Sequence, residues 1–149
     1  MHRRLHENDR APSRQFDSWI GEWDVTAPDG RLIGTDHIEA AEGGCLLRET
    51  WTGAASGTGQ SVNFYDRLTG YWRQVWMDPS GQNQDYYGEF SGDTLVFRQV
   101  TYTEGLKSIL TMTYAPRPDG TLRQLVQRSI DDGATWTTLS DYTFKRKAQ

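Results

Sequence analysis

Turn signals punctuate this chain at intervals of about eight to fourteen residues, and the residues between them alternate apolar and polar. The punctuation includes Pro28-Asp-Gly30, Gly43-Gly44, the small-residue run from Gly53 to Gly59, Arg67 to Gly70, and Pro79-Ser-Gly81. Gly92, Gly105, Pro116-Arg-Pro-Asp-Gly120 and Asp131-Asp-Gly-Ala134 continue it. Past the first twenty residues no segment carries a 3.6-residue apolar period, and no strand–helix–strand spacing occurs. The pattern predicts strands over Gly21–Thr26, Arg31–Glu42, Cys45–Thr52, Gly59–Asp66, Tyr71–Asp78, Asn83–Phe90, Thr94–Thr103, Lys107–Ala115, Thr121–Ile130 and Thr135–Lys145, after a short helical turn at Phe16–Ile20. Consecutive hairpins without a long crossover favour an all-β, about ten-stranded antiparallel up-and-down barrel, because closure removes the exposed edges that an open sheet would leave.

The hairpin from Gly59 to Asp78 is the most informative segment. Facing residues of an antiparallel pair keep a constant sum, so pairing Asp66 with Tyr71 sets Tyr65 opposite Trp72, Asn63 opposite Gln74 and Ser61 opposite Trp76. One face is then aromatic and amide-rich. The other carries Val62, Phe64, Arg73 and Val75, so neither resembles an ordinary solvated surface. In the last hairpin, Ile130 opposite Thr135 places Arg128 across from Thr137, Val126 across from Leu139 and Gln124 across from Asp141. In the second strand, His37 shares a face with Ile33, Thr35 and Glu39. The other face, with Leu32, Gly34, Asp36, Ile38 and Ala40, looks more inward.

The chain has 149 residues, which suits one domain, expected over residues 16–147 behind a flexible tail of residues 1–15. Its apolar share is a modest 36%, but six Trp, seven Tyr and five Phe can build a core from a few large rings. A formal charge of -4 with scattered basic residues argues against nucleic acid as a partner. No run approaches the roughly 18 apolar residues of a membrane helix, so no membrane partner is expected and a cytoplasmic location follows. The single Cys45 is expected as a small buried hydrophobe, consistent with a reducing compartment. A homo-oligomer is not indicated.

The segment Phe16-Asp-Ser-Trp-Ile-Gly-Glu-Trp-Asp-Val25, with Gly21-x-Trp23 opening the first strand, resembles the signature of lipocalin and calycin barrels. Together with Gly43-Gly-Cys45, Glu49-Thr-Trp-Thr-Gly53, Asn63-Phe-Tyr-Asp66, Thr69-Gly-Tyr-Trp-Arg-Gln-Val-Trp76 and Asp132-Gly-Ala-Thr-Trp136, it is similar to a bacterial lipocalin-like domain-of-unknown-function family. More distantly, it resembles nitrobindin and fatty-acid-binding-protein-like barrels. The resemblance covers most of residues 16–146. It implies a calycin-type barrel that binds small apolar or aromatic molecules, with Trp23 packed across the closed end under a basic side chain from Lys145, Arg146 or Lys147. Nitrobindin-like barrels hold haem through a late histidine, whereas no His follows His37 here, so no cofactor is expected.

If the half-polar face of the last hairpin points inward, Glu49, Asn63, Gln74, Gln124, Arg128 and Asp141 become buried polar groups among the rings of Trp51, Tyr65, Trp72 and Trp76. That set is the expected ligand-binding site, and Glu49 and Asp141 are the candidate catalytic carboxylates. No residue cluster suits a metal ion or a Ser-His-Asp triad. The leading expectation is a barrel holding a small apolar or aromatic ligand. A cofactor-free isomerase, cyclase or dehydratase using a buried carboxylate is the first alternative, and an interaction barrel with a filled interior is the second.

Overall fold

The computed structural model describes residues 12–148. Ten strands follow one another around a closed barrel, each antiparallel to its neighbours in sequence, with the last returning to pair with the first. They are β1 (Gly21–Thr26), β2 (Leu32–Ala41), β3 (Leu46–Gly53), β4 (Thr58–Asp66), β5 (Tyr71–Met77), β6 (Asn83–Ser91), β7 (Thr94–Thr103), β8 (Leu106–Pro116), β9 (Leu122–Ser129) and β10 (Thr137–Arg146). Each expected strand is present, with ends displaced by a residue or two. Two 3-10 turns, Pro12–Arg14 and Asp17–Trp19, precede β1. The tail expected over residues 1–15 lies mostly outside the described residues. Its end is part of the fold, since the Trp72 indole N–H donates to Gln15 Oε1 at 3.4 Å.

One end of the barrel is closed by rings. Phe16 stacks on Trp19 with centroids 4.7 Å apart and meets Trp72 and Tyr114 edge-on at 5.8 and 5.2 Å. Trp23 is fully buried beside them and donates its indole N–H to the Trp19 carbonyl at 2.8 Å. Arg146, paired with Trp23 across β1 and β10, holds its guanidinium carbon 4.2 Å from the ring centroid and donates to the Ile20 and Ser18 carbonyls, both at 2.9 Å. One arginine therefore caps the entering chain and stacks on the indole. Gly21 makes room for this: its φ is +139°, and a Cβ there would stand 2.6 Å from an Arg146 nitrogen. The Gly-x-Trp spacing is thus a packing requirement, and the basic partner is Arg146 rather than Lys145 or Lys147.

The central hairpin has the expected register, with Ser61, Asn63 and Tyr65 facing Trp76, Gln74 and Trp72. On its outer face Arg73 is packed by side chains of β6 and of the hairpin itself. Arg73 lies 4.1 Å from the Tyr87 ring centroid, donates to Asp85 at 2.7 Å and stands 3.7 Å from Asp66.

Two expectations fail. Cys45 is exposed, because it belongs to the turn at Glu42–Gly44 rather than to β3. The last hairpin starts in the expected register, Arg128 facing Thr137, but a bulge between Thr138 and Ser140 inserts Leu139 and shifts everything beyond it. Gln124 consequently faces Tyr142, and Asp141 faces Leu125. A bulge turns the strand by one side-chain position, which sends Asp141 to the outer surface.

Candidate functional site

Above the ring-packed end the barrel interior holds a belt of polar groups, and above the belt lies a cavity of about 310 Å³. β2 supplies Asp36, β3 Glu49, β4 Ser61 and Asn63, β5 Gln74, β8 Tyr114 and β9 Gln124, all placed inward by strand alternation. The belt is bonded end to end. Gln124 Nε2 donates to Tyr114 Oη at 2.9 Å, and Gln74 Nε2 donates to the same oxygen at 3.4 Å and to Asn63 Oδ1 at 2.7 Å. Asn63 Nδ2 donates to Ser61 Oγ at 2.8 Å, and the Ser61 hydroxyl donates to Glu49 Oε1 at 2.7 Å. From Asn63 onward every donor points toward the Glu49 carboxylate, so the chain gathers negative charge at that end.

Asp36 stands beside Glu49, only 2% exposed, and neither of its oxygens meets a donor in good hydrogen-bond geometry. Two carboxyl groups are acceptors alone when both are ionised, so a bond between them requires a proton on one. Burial, then the charge of Glu49 and the hydrogen bond to it, raise the Asp36 carboxyl far above the ordinary carboxylate range. The proton of the pair therefore resides on Asp36. Burial and the nearby Glu49 charge likewise push the Tyr114 phenol well up, and burial pushes Tyr86 up to about 12, so both rings stay neutral.

Trp51 and Trp76 form the upper walls, each pressed flat against a neighbouring glycine. A Cβ on Gly34 would stand 2.6 Å from the Trp51 ring, and one on Gly59 would stand 2.0 Å from that of Trp76. The two glycines let the indoles lie along the wall instead of filling the lumen. Tyr86, Met112, Tyr142 and Phe144 complete much of the lining, with Ile33, Ser56 and Gln84 toward the strand ends. A second depression, between the β3–β4 and β5–β6 turns, shares Trp51, Ser56 and Trp76 with the cavity.

The structure brings together Glu49, Trp51, Gln74, Trp76 and Gln124 on the cavity wall, with Asn63 immediately behind them in the belt. Trp72 belongs to the closed end, and Tyr65 packs on it with centroids 6.4 Å apart. Arg128 is exposed near the open end of β9. Asp141 is outside the barrel, held by Arg123 through two hydrogen bonds of 2.8 Å, which pull its carboxyl down from the ordinary value. The expected pairing of Glu49 with Asp141 is thus replaced by Glu49 with Asp36. Asp36 was detectable as the one carboxylate on the inward-looking face of β2. His37, its neighbour, points outward to Glu22 and Glu39 at 3.4 and 3.8 Å. Among the described residues no cluster of His, Cys, Asp and Glu could hold a metal ion, and no helix is long and apolar enough to cross a membrane.

No protein-family model matches the chain, and no curated protein sequence matches it significantly. Fold and site together define a closed ten-stranded antiparallel β-barrel with a buried aromatic cluster at one end and a polar-floored cavity toward the other.

Proposed function

We propose that this is a lipocalin-like binding protein that holds a compact apolar or aromatic molecule inside the barrel. The observation that carries the reading is the cavity itself: about 310 Å³, walled by Trp51, Trp76, Tyr86 and Phe144, with directed polar groups along its floor. That volume lies at the small end of the range for ligand pockets, and apolar walls with a few convergent polar groups are the usual composition of such sites. The glycines beneath Trp51 and Trp76 support it further, since larger residues there would push the rings into the lumen. Intrinsic tryptophan fluorescence during titration with one- and two-ring aromatic compounds tests the reading. Saturable quenching at one equivalent that is lost in Gly59→Leu supports it; unchanged emission across the series rejects it.

A second reading is favoured by the Asp36–Glu49 pair. A protonated acid beside a carboxylate at a cavity wall is an arrangement able to donate and accept protons, as a cofactor-free isomerase, cyclase or dehydratase requires. On that reading Glu49→Gln abolishes turnover of a bound compound while leaving it bound. On the first, no bound compound is converted.

A further inference from the structure

The cavity wall is unbalanced in charge. None of its lining residues is Lys, Arg or His, while Asp36 and Glu49 both belong to it. The amide nitrogens of Gln74 and Gln124 are already engaged with Asn63, Tyr114 and Met112. The Ser61 hydroxyl is spent on Glu49. Against this, both Asp36 oxygens lack a donor, although the residue is only 2% exposed and borders the cavity. Buried polar groups are ordinarily matched, and a carboxyl pair that shares one proton still presents one negative charge and open acceptor lone pairs toward the lumen. Trp23 and Trp51 lie across from Asp36 on β1 and β3, the His37 backbone N–H bears on its carboxyl without good hydrogen-bond geometry, and the titratable groups acting on it are Glu49 and Tyr114. His37 and Arg48 are exposed.

We infer that the ligand is an organic cation, a protonated amine on a compact aromatic body, with its N–H groups on the Asp36–Glu49 carboxyls and its rings between Trp51 and Trp76. This deepens the binding reading above and rests on it. An ammonium brings N–H donors to the carboxyl pair and neutralises the charge at the end of the belt. Its charge also gains from the indole faces, whose quadrupoles attract cations. Against two residues as buried as Asp36 and Glu49 this charge complement is worth more than at a surface.

Three probes of one shape separate the terms: 1-naphthylmethylamine, charged at neutral pH, 1-naphthylmethanol, neutral, and 1-naphthoate, anionic. Calorimetric titration of the full chain should show the amine binding at one equivalent, at least about tenfold tighter than the alcohol, with the naphthoate weakest. Glu49→Gln, which removes the ionised carboxylate, should abolish the amine's advantage over the alcohol, whereas Asp36→Asn, which leaves that charge in place, should keep most of it. Far-ultraviolet circular dichroism checks that each variant keeps the fold. Equal binding of amine and alcohol, or tighter binding of naphthoate, overturns the inference while leaving a binding barrel in place. Failure of all three probes to bind overturns both.

Discussion

Replacing Asp36 by Asn should stabilise the empty protein, increasingly so as the pH rises. An Asp in an unfolded chain titrates near 3.8, whereas burial and Glu49 keep Asp36 protonated in the fold far above that value. Between these limits the folded state binds more protons than the unfolded state, so unfolding free energy falls as pH rises, and the loss stops only where the folded carboxyl itself ionises. Each pH unit is worth about 1.4 kcal/mol, so holding the proton on Asp36 at pH 7 costs the fold up to about 4 kcal/mol. Asparagine keeps the shape and can donate its N–H to Glu49 but carries no such penalty. Urea unfolding of wild type and Asp36→Asn at pH 5, 6, 7 and 8 measures it. The difference between the two should widen in favour of the variant by about 1.4 kcal/mol per unit. Carboxylates whose folded values are lowered, such as Asp131 and Asp141, titrate in both proteins and cancel in the difference. A difference that stays flat with pH would refute the reasoning, because it would mean that Asp36 is ionised in the fold.

At the closed end, Trp23→Ala should destabilise by about 3–5 kcal/mol as a large-to-small core change, and Arg146→Met by about 2 kcal/mol through the lost stacking and carbonyl bonds. Thermal melts of both check this, and equal small losses would contradict the ring-packed plug. Trp76→Phe should spare folding yet weaken ligand binding severalfold, while Gly59→Ala should weaken binding more strongly, because its Cβ would meet the Trp76 ring at 2.0 Å. On the outer surface, Arg128→Met and Asp141→Asn should each change stability by less than about 1 kcal/mol, since Arg128 is exposed and the Arg123–Asp141 pair is partly solvated. A loss of several kcal/mol from either would restore the buried network that the sequence suggested.

The barrel was legible in the sequence because its causes are local. Turn residues stop each strand, alternation sets each face, and in the central hairpin both agree, so its register followed from a constant sum. The wall residues Glu49, Trp51, Gln74 and Trp76 were legible for the same reason. The last hairpin was not, because Leu139 has no composition that announces a bulge, and one inserted residue sends Asp141 out and Tyr142 in. Asp36 was visible on the inward face but had no sequence partner: its closeness to Glu49 depends on how β2 and β3 pair, with Asp36 facing Trp51 and Ile38 facing Glu49. Tyr86 comes from β6 and Met112 and Tyr114 from β8, so their convergence on one cavity with residues of β2 and β3 was a property of the whole ring of strands.

The most direct test of a ligand-holding barrel is native mass spectrometry of the protein drawn gently from the cells that make it. A single small-molecule adduct at one equivalent on the wild type, absent from the lumen-filling Gly59→Leu variant, is the predicted result. A bare chain mass for the wild type, unchanged when the protein is incubated with aromatic amines and alcohols before spraying, would contradict it.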